Sequence, residues 1–578
     1  MLFALPLLFA GALHLDTEAT RSNYTRTGRL DEVADLCTAV TATTRVTCNV
    51  VGTSPEGRAI FAFRFGAQAS TPTVLIIGGI HAGEIDGKDA SLRVMADLLN
   101  GTIKSDDVNL VFVPVYNVDG HERIGKNHRP NQRGPEETGW RVTSSNLNLN
   151  RDWAKADAPE TRALLALIDE IDPEVTIDLH VTDGAQFQHD IAVIVEPAAD
   201  DGTNTALVAA GRSLSTALQS SLKATKHLPL DFYPAFEVDD DPGSGIAVGV
   251  TSARFTHGYA AKRGRIGVLV ETHSWRPYRE RVFAMVDLLK GFLQTAKTQS
   301  SSWTKAAAAA DATALTLPGK PLTLKFETDL TTKTTFDFRG YAYTRTPSTL
   351  SGALWTRYDE TKKQTWKMPL WRTLKPAVTT TAPAAYAVLP GYAADVVERL
   401  QAHHIAYSIV TADQQVHADR FKADDVVFGT RPYEARMTAK TKGSWTKVTA
   451  TTTLPKGTVI VPVAQKRARL VLELFEPGAN ESFVGWGFFN ACFEQKEYME
   501  AYVVEVEARA MLAQDPALEK IFNDKVAADA AFAKDSAARL DFFYERHPAW
   551  DDQKNVVPVL RLSTLPSSAA SSSSSQLN

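Results

Sequence analysis

The chain has 578 residues, 44% of them hydrophobic and 22% charged, with a net charge of −5. That length exceeds what one core holds and implies two or three domains. The charge gives no basis for binding nucleic acid or an anionic membrane, and no run of about 18 apolar residues exists to span a bilayer.

Met1 to Leu15 is apolar and uncharged, and Ala10-Gly11-Ala12 has the small-x-small form of a signal cleavage site. A signal peptide over residues 1–15 and a secreted or periplasmic protein are the expectation. The stretch lacks a basic start, so a buried N-terminal segment or a start placed too far downstream stays open. Cys37, on an expected helix from Leu30 to Val40, and Cys48, at a strand start, suit a disulfide in an exported protein. Cys492 lies in an aromatic run and reads as a buried apolar thiol.

From residue 16 to 297 strands and helices alternate. Strands are expected at Ala59–Phe65, Thr73–Ile80, Asn109–Val115, Glu174–Leu179, Ile191–Val195 and Ile266–Val270. Helices are expected at Ile85–Leu99, Pro159–Ile171, Asn204–Leu222 and Glu280–Leu293. This is an α/β domain with a mixed central sheet flanked by helices. The interval from Asp119 to Asp152 is loop-rich and too long for a mere connection. Thr298 to Ala312 reads as a frayed helix or a linker. A small β-rich domain is expected over 313–382, then an α/β and finally helical region over 384–565. Within it, Glu494–Ala513 reads as a strong helix and Ala517–Phe543 as helical in pieces. The serine-rich tail, 566–578, reads as disordered.

The chemistry begins at Gly78-Gly79-Ile80-His81-Ala82-Gly83-Glu84, on the turn after a core strand. Ligands bind at the carboxyl ends of strands in open α/β sheets. An imidazole and a carboxylate are ligands that zinc takes when it also holds a water. The bland reading of Glu84 is a carboxylate at a helix N-terminus. A second core strand, Glu174 to His180, ends in an imidazole, which supplies a third ligand. A third, Ile266 to Glu271, ends in a carboxylate costly to bury unpaired and suited to a general base. His273 reads as a supporting or structural residue. Asn150-Arg151 offers a guanidinium for a carboxylate, and Trp140-Arg141 another for an oxyanion.

In this order, His81-Ala-Gly-Glu84, Trp140-Arg141, Asn150-Arg151, Asp178-Leu-His180 and the strand ending in Glu271 resemble the zinc carboxypeptidase family of metallopeptidases, over about Thr17 to Leu293. The resemblance implies that fold for residues 16–297, and one Zn2+ held by His81, Glu84 and His180. It implies Glu271 as general base and proton shuttle, Arg141 polarising the scissile carbonyl, and Asn150 and Arg151 gripping the free C-terminal carboxylate of a peptide. Arg129 and Arg133 rival Arg141, because the Trp-Arg pair stands closer to Asn150 than in the digestive enzymes. Tyr259 is the nearest match to their mobile substrate-binding tyrosine. Residues after about 300 resemble the long extension of some bacterial members, without indicating its task or the oligomeric state. Their aromatic run (Phe483, Trp486, Phe488, Phe489, Phe493) reads as a packed interface or an aromatic subsite. A zinc amidohydrolase acting on N-acyl amino acids and a non-catalytic peptide-binding protein on the same scaffold are the alternatives.

Overall fold

A computed structural model describes residues 16–41, 46–66, 71–448 and 451–566. The expected signal segment and most of the serine-rich tail lie outside the described residues. Among the described residues, the first half is built on nine strands and eight α-helices. The strands are β1 (Val46–Thr53), β2 (Ala59–Phe65), β3 (Thr73–Gly78), β4 (Asn109–Val113), β5 (Val175–Val181), β6 (Ile191–Glu196), β7 (Pro229–Leu230), β8 (Ile246–Ala247) and β9 (Ile266–Thr272). The helices are α1 (Glu18–Arg21), α2 (Leu30–Thr41), α3 (Asp86–Leu99), α4 (Val118–Glu122), α5 (Pro159–Ile171), α6 (Thr205–Ala224), α7 (Thr256–Lys262) and α8 (Tyr278–Leu315).

All these strands except β8 form one mixed sheet in the order β1-β2-β4-β3-β5-β9-β6-β7. Its centre, β4-β3-β5-β9, is parallel, and β6 pairs antiparallel with β9. Every residue of β5 and β9 is buried. β9 is accordingly apolar from Ile266 to Val270, as strands covered on both faces are, whereas β5 alternates its apolar residues with buried Thr176, Asp178 and His180. His180 and Glu271, near the carboxyl ends of these strands, are ladder partners. Cys37 on α2 and Cys48 on β1 form a disulfide.

Residues 298–312, expected as a frayed helix or a linker, are the continuation of α8, which runs unbroken for 38 residues. Trp303, Ala306, Ala310 and Ala314 are buried along it, and Trp303 stacks on Phe292. The β-rich segment that follows holds four strands, including the long hairpin Thr334–Pro347 and Leu354–Trp371. It does not stand alone. Leu370 and Trp371 pair with β8, and Phe338, Trp366 and Met368 share a core with Phe187 and Phe232.

The last region builds a six-stranded antiparallel sheet on Ala385–Val388, Val459–Pro462 and Val556–Leu562 at its centre. One face, with Tyr386, Val388, Val459 and Val461, joins the core of the first half, and the other, with Ala385, Ala387, Ile460 and Leu560, forms a separate apolar cluster. Four helices between Ala501 and Tyr544 pack around a small apolar core of their own. The first of them, Ala501–Gln514, starts seven residues later than the pattern of Glu494–Ala513 suggests. Of the aromatic run, Phe483, Trp486, Phe489 and Phe493 are buried, as a packed interface requires. No helix among the described residues is long and apolar enough to cross a membrane.

Candidate active site

The turn between β3 and α3 is shaped by two glycines. Gly79 has φ +67°, a conformation that disfavours a side chain. A Cβ on Gly83 would lie 2.8 Å from the Gly139 carbonyl and closer still to the Arg129 side chain. The Glu84 N–H donates to the His81 carbonyl (2.8 Å), so both side chains project to the same side.

Three potential ligands meet there. The ligand atoms of His81, Glu84 and His180 all lie within 4.8 Å of one another, and all three residues are buried. His81 Nδ1 is 2.9 Å from Glu84 Oε1, and His180 Nδ1 is 2.8 Å from Glu84 Oε2. The far nitrogens are anchored from behind, His81 Nε2 on Asn148 Oδ1 (3.0 Å) and His180 Nε2 on Asp178 Oδ2 (2.8 Å). Imidazoles that turn one nitrogen inward while a carboxylate or amide fixes the other are the arrangement of metal-ligating histidines. A donor set of two imidazoles and one carboxylate matches zinc and leaves room for a fourth ligand.

The electrostatics agree with a site built for a cation. Burial pushes the His81 imidazole down to about 3, against the pull of Glu84. Burial also opposes charge on His180, but the Asp178 and Glu84 carboxylates outweigh it and raise its pKa. For Glu84, burial favours the neutral acid; His81, Arg129 and His180 overcome it and hold the carboxyl well below its usual range. Glu271 goes the other way. Burial raises it well above the carboxylate range, and the charges of Glu84, Asp178 and Asp183 add to the effect while His180 opposes it. Its Oε2 has no hydrogen-bond partner among the described residues.

A cavity of about 700 Å³ opens beside these groups. His81, Glu84, Arg141, Asn150, Arg151 and Glu271 line it. Asn148 caps the single 3-10 turn Leu149–Arg151 by accepting from the Asn150 N–H. That turn aims the next two side chains: the Asn150 Nδ2 approaches His180 Nε2 (3.4 Å), and Arg151 lies over the Phe255 ring at 4.3 Å. Arg151 pairs with no carboxylate among the described residues; its Nη1 donates to the Asn150 carbonyl. Arg141 Nη1 and Arg129 Nη2 both reach Glu84 Oε1, at 3.2 and 3.1 Å. Arg133 is drawn away to Glu360 by an ion pair (2.8 Å).

Tyr259 is a correction. Its side chain is buried on α7, its hydroxyl lies 2.9 Å from His403 Nδ1, and it does not line the cavity. The tyrosines that do are Tyr233 and Tyr433. His273 stacks on Phe187 and accepts from its N–H, a structural role. Sequence reasoning assigned no role to Asn148, two residues before Asn150, or to Asp178, which stands inside a quoted motif. It also passed over Arg254 and Asn480, which line the cavity from loops without a motif.

Comparison with known proteins agrees with this geometry. Residues 36–235 match the family model described as zinc carboxypeptidase. The stretch contains the three candidate ligands, Arg141, Asn150 and Arg151, and ends before Glu271. Carboxypeptidase E of Caenorhabditis elegans is 28% identical over 169 residues, which is 26% of this chain. The match spans 33% of that relative's length. Among solved structures, a metallo-carboxypeptidase from Burkholderia cenocepacia is similar at 16% identity, over 46% of this chain and 69% of the other, with a TM-score of 0.35. Carboxypeptidase A of Helicoverpa armigera is similar at 18% identity, over 51% and 78%, with a TM-score of 0.35. The likeness to zinc carboxypeptidases is thus carried by residues 36–235, about a third of the chain.

Proposed function

We propose that the protein is a zinc-dependent carboxypeptidase that removes C-terminal residues from peptides in an exported setting. The observation that carries this reading is the shared cavity. A His-Glu-His cluster reaches it through His81 and Glu84, and an underpartnered buried glutamate lines it together with an arginine that pairs with no carboxylate among the described residues. His81, Glu84 and His180 would hold the zinc. When bound there, zinc supplies Lewis acidity toward a carbonyl oxygen and makes water acidic near neutral pH. Arg151, with Asn150 beside it, takes the C-terminal carboxylate and so sets the last peptide bond against the cluster, a positioning effect. Glu271 accepts a proton from the attacking water and delivers it to the leaving amine. Arg141 stands at the cavity wall to stabilise the developing oxyanion. Arg129, more deeply enclosed, holds Glu84 and Asp183. The disulfide suits an oxidising compartment.

The test is digestion of a peptide library, half with free and half with amidated C-termini, read by mass spectrometry with zinc supplied. Loss of single C-terminal residues from the free-acid half alone is expected. Cleavage of neither half, with hydrolysis of N-acyl amino acids instead, would overturn the reading in favour of an amidohydrolase.

A further inference from the structure

The cavity is not closed by the first half of the chain. Tyr433 and Asn480, both more than 150 residues beyond Glu271, line it as directly as the candidate catalytic residues do. Tyr433 stands on a turn that is pinned to the first half at both ends. The Glu434 carboxylate accepts from the Asn148 N–H (2.9 Å), next to the turn that aims Asn150 and Arg151. Arg436 donates twice to Asp157 (2.7 and 2.6 Å) and lies 3.7 Å over the Phe488 ring. Between these anchors Glu434 and Ala435 both adopt positive φ, +49° and +65°. Two successive non-glycine residues in that region persist only where surrounding contacts over-determine them, and such strain clusters at ligand sites.

Arg254 is the cation this wall carries. It projects from the loop before α7, next to Phe255, the ring that supports Arg151. Glu481, fully buried, accepts from Arg254 Nε at 2.7 Å and from Trp486 Nε1 at 2.9 Å. The Arg254 guanidinium lies 5.0 Å from the Trp486 ring and 5.9 Å from the Tyr433 ring, and those two rings stack on each other. The guanidinium has five N–H donors in a rigid fork and Glu481 takes one. Two arginines therefore serve one cavity: Arg151, packed on Phe255 and paired with no carboxylate among the described residues, and Arg254, beside Phe255 in the chain and held by its edge on the C-terminal region.

We propose that the C-terminal region completes the substrate cavity and that Arg254, seated on it, is a specificity-determining residue that takes a second carboxylate, so that peptides ending in an acidic residue are the preferred substrates. This rests on the carboxypeptidase reading. Arg151 takes the main-chain carboxylate of the last residue, and Arg254 takes its side-chain carboxylate. A charge-assisted hydrogen bond of this kind discriminates against a neutral isostere by roughly 10- to 100-fold.

The experiment uses the full-length zinc-loaded protein and four free-acid peptides that differ only in the last residue: Glu, Gln, Leu or Lys. The expected kcat/KM for the Glu peptide exceeds that for Gln by about 10-fold or more. In Arg254→Gln the Glu-to-Gln ratio falls to near unity, and in Arg254→Lys it is partly restored. Thermal midpoints establish that the variants are folded, and the wild-type ratio tests the proposal even if one is not. Faster removal of Leu or Lys than of Glu by the wild type would overturn the proposal and leave the carboxypeptidase reading standing. An unchanged ratio in folded Arg254→Gln would remove Arg254 from the role. Cleavage of none of the four would remove both readings.

Discussion

Glu271 and His180 are ladder neighbours with opposite electrostatic fates. Burial raises the carboxyl of one, and two carboxylates raise the imidazole of the other. A buried glutamate at a cavity wall whose charge is disfavoured is a candidate for proton transfer rather than a structural ion. Glu271→Gln keeps the shape of the site and its ligands, so zinc content measured by atomic absorption is expected to stay at one per chain. Turnover is expected to fall by roughly 10²- to 10⁴-fold. His81→Ala is expected to lose zinc and turnover together. A Glu271→Gln enzyme with near-normal turnover would contradict the assigned base. That these residues meet was legible in the sequence, because each stands at the end of a core strand or on the turn after one, a fixed place in an α/β sheet. Tyr259 was not, because on a short helix the side-chain direction is decided by what packs on it, here His403 from far along the chain. A second buried carboxyl behaves like Glu271 without serving the site. Glu160, at the start of α5, meets no donor beyond its own backbone, and burial raises it from 4.5 to about 7, with Asp119 and Asp152 adding to the shift. The folded state thus holds this proton more tightly than the unfolded chain. Stability falls as pH rises from 4.5 to 7 and the full penalty remains above 7. Glu160→Gln is expected to remove that slope and to raise the thermal midpoint at pH 8 but not at pH 4. An equal effect at both would contradict a protonation origin.

At the scale of elements, the position of α3 decides whether Glu84 reaches the two imidazoles. Asp86, in its first turn, is fully buried and bound by Arg281 of α8 through Nε (2.7 Å) and Nη2 (3.1 Å), with the Thr272 hydroxyl of β9 as a further donor. The same guanidinium donates to the Arg133, Gly134 and Arg276 carbonyls. One side chain thus ties the site helix, the loop beside Arg129 and the long helix together. Arg281→Met keeps much of the volume but strands Asp86 as a buried charge, which costs about 3–5 kcal/mol. The expected measurement is a denaturant midpoint lowered accordingly, together with weaker zinc retention in a competition with a chelator. A loss under about 1 kcal/mol would place the pair among the exposed ones of little consequence. The length of α8 was hidden in the sequence for a related reason. Alanine favours helix intrinsically, but a run from Thr298 to Ala312 shows no strong apolar stripe, and the serines at 300–302 read as an end. Burial of Trp303, Ala306 and Ala310 by distant segments supplies what the local pattern lacks.

For the whole molecule, the decisive feature is that the last third of the chain reaches back to the site. No local signal predicts it, since Glu434 meets Asn148 across 286 positions; the sequence offered only the density of Phe483, Trp486 and Phe488 as a sign that something covers them. Asp157 is the joint. It lies just before α5 and accepts from Arg399 Nη2 (2.6 Å) and twice from Arg436, with Lys155 Nζ at 3.2 Å. Burial raises its pKa, but Arg436, Lys155 and Arg399 overcome this and hold it far below the usual carboxylate range. A depressed carboxyl of this kind stabilises the fold at neutral pH, and the contribution is lost as pH falls from the unfolded value through the folded one. Asp157→Asn removes the charge while keeping the shape, leaving three cations converging on a neutral amide. The expected result at pH 7 is a lower thermal midpoint and a KM several-fold higher for free-acid peptides, with a smaller change in kcat, because the turn carrying Tyr433 loosens while the ligand cluster and Glu271 stay in place. The midpoints of the two proteins should converge as the pH is lowered into the range where Asp157 itself takes up a proton. A variant that loses stability without any change in KM would show that the C-terminal region braces the first half but does not shape the cavity.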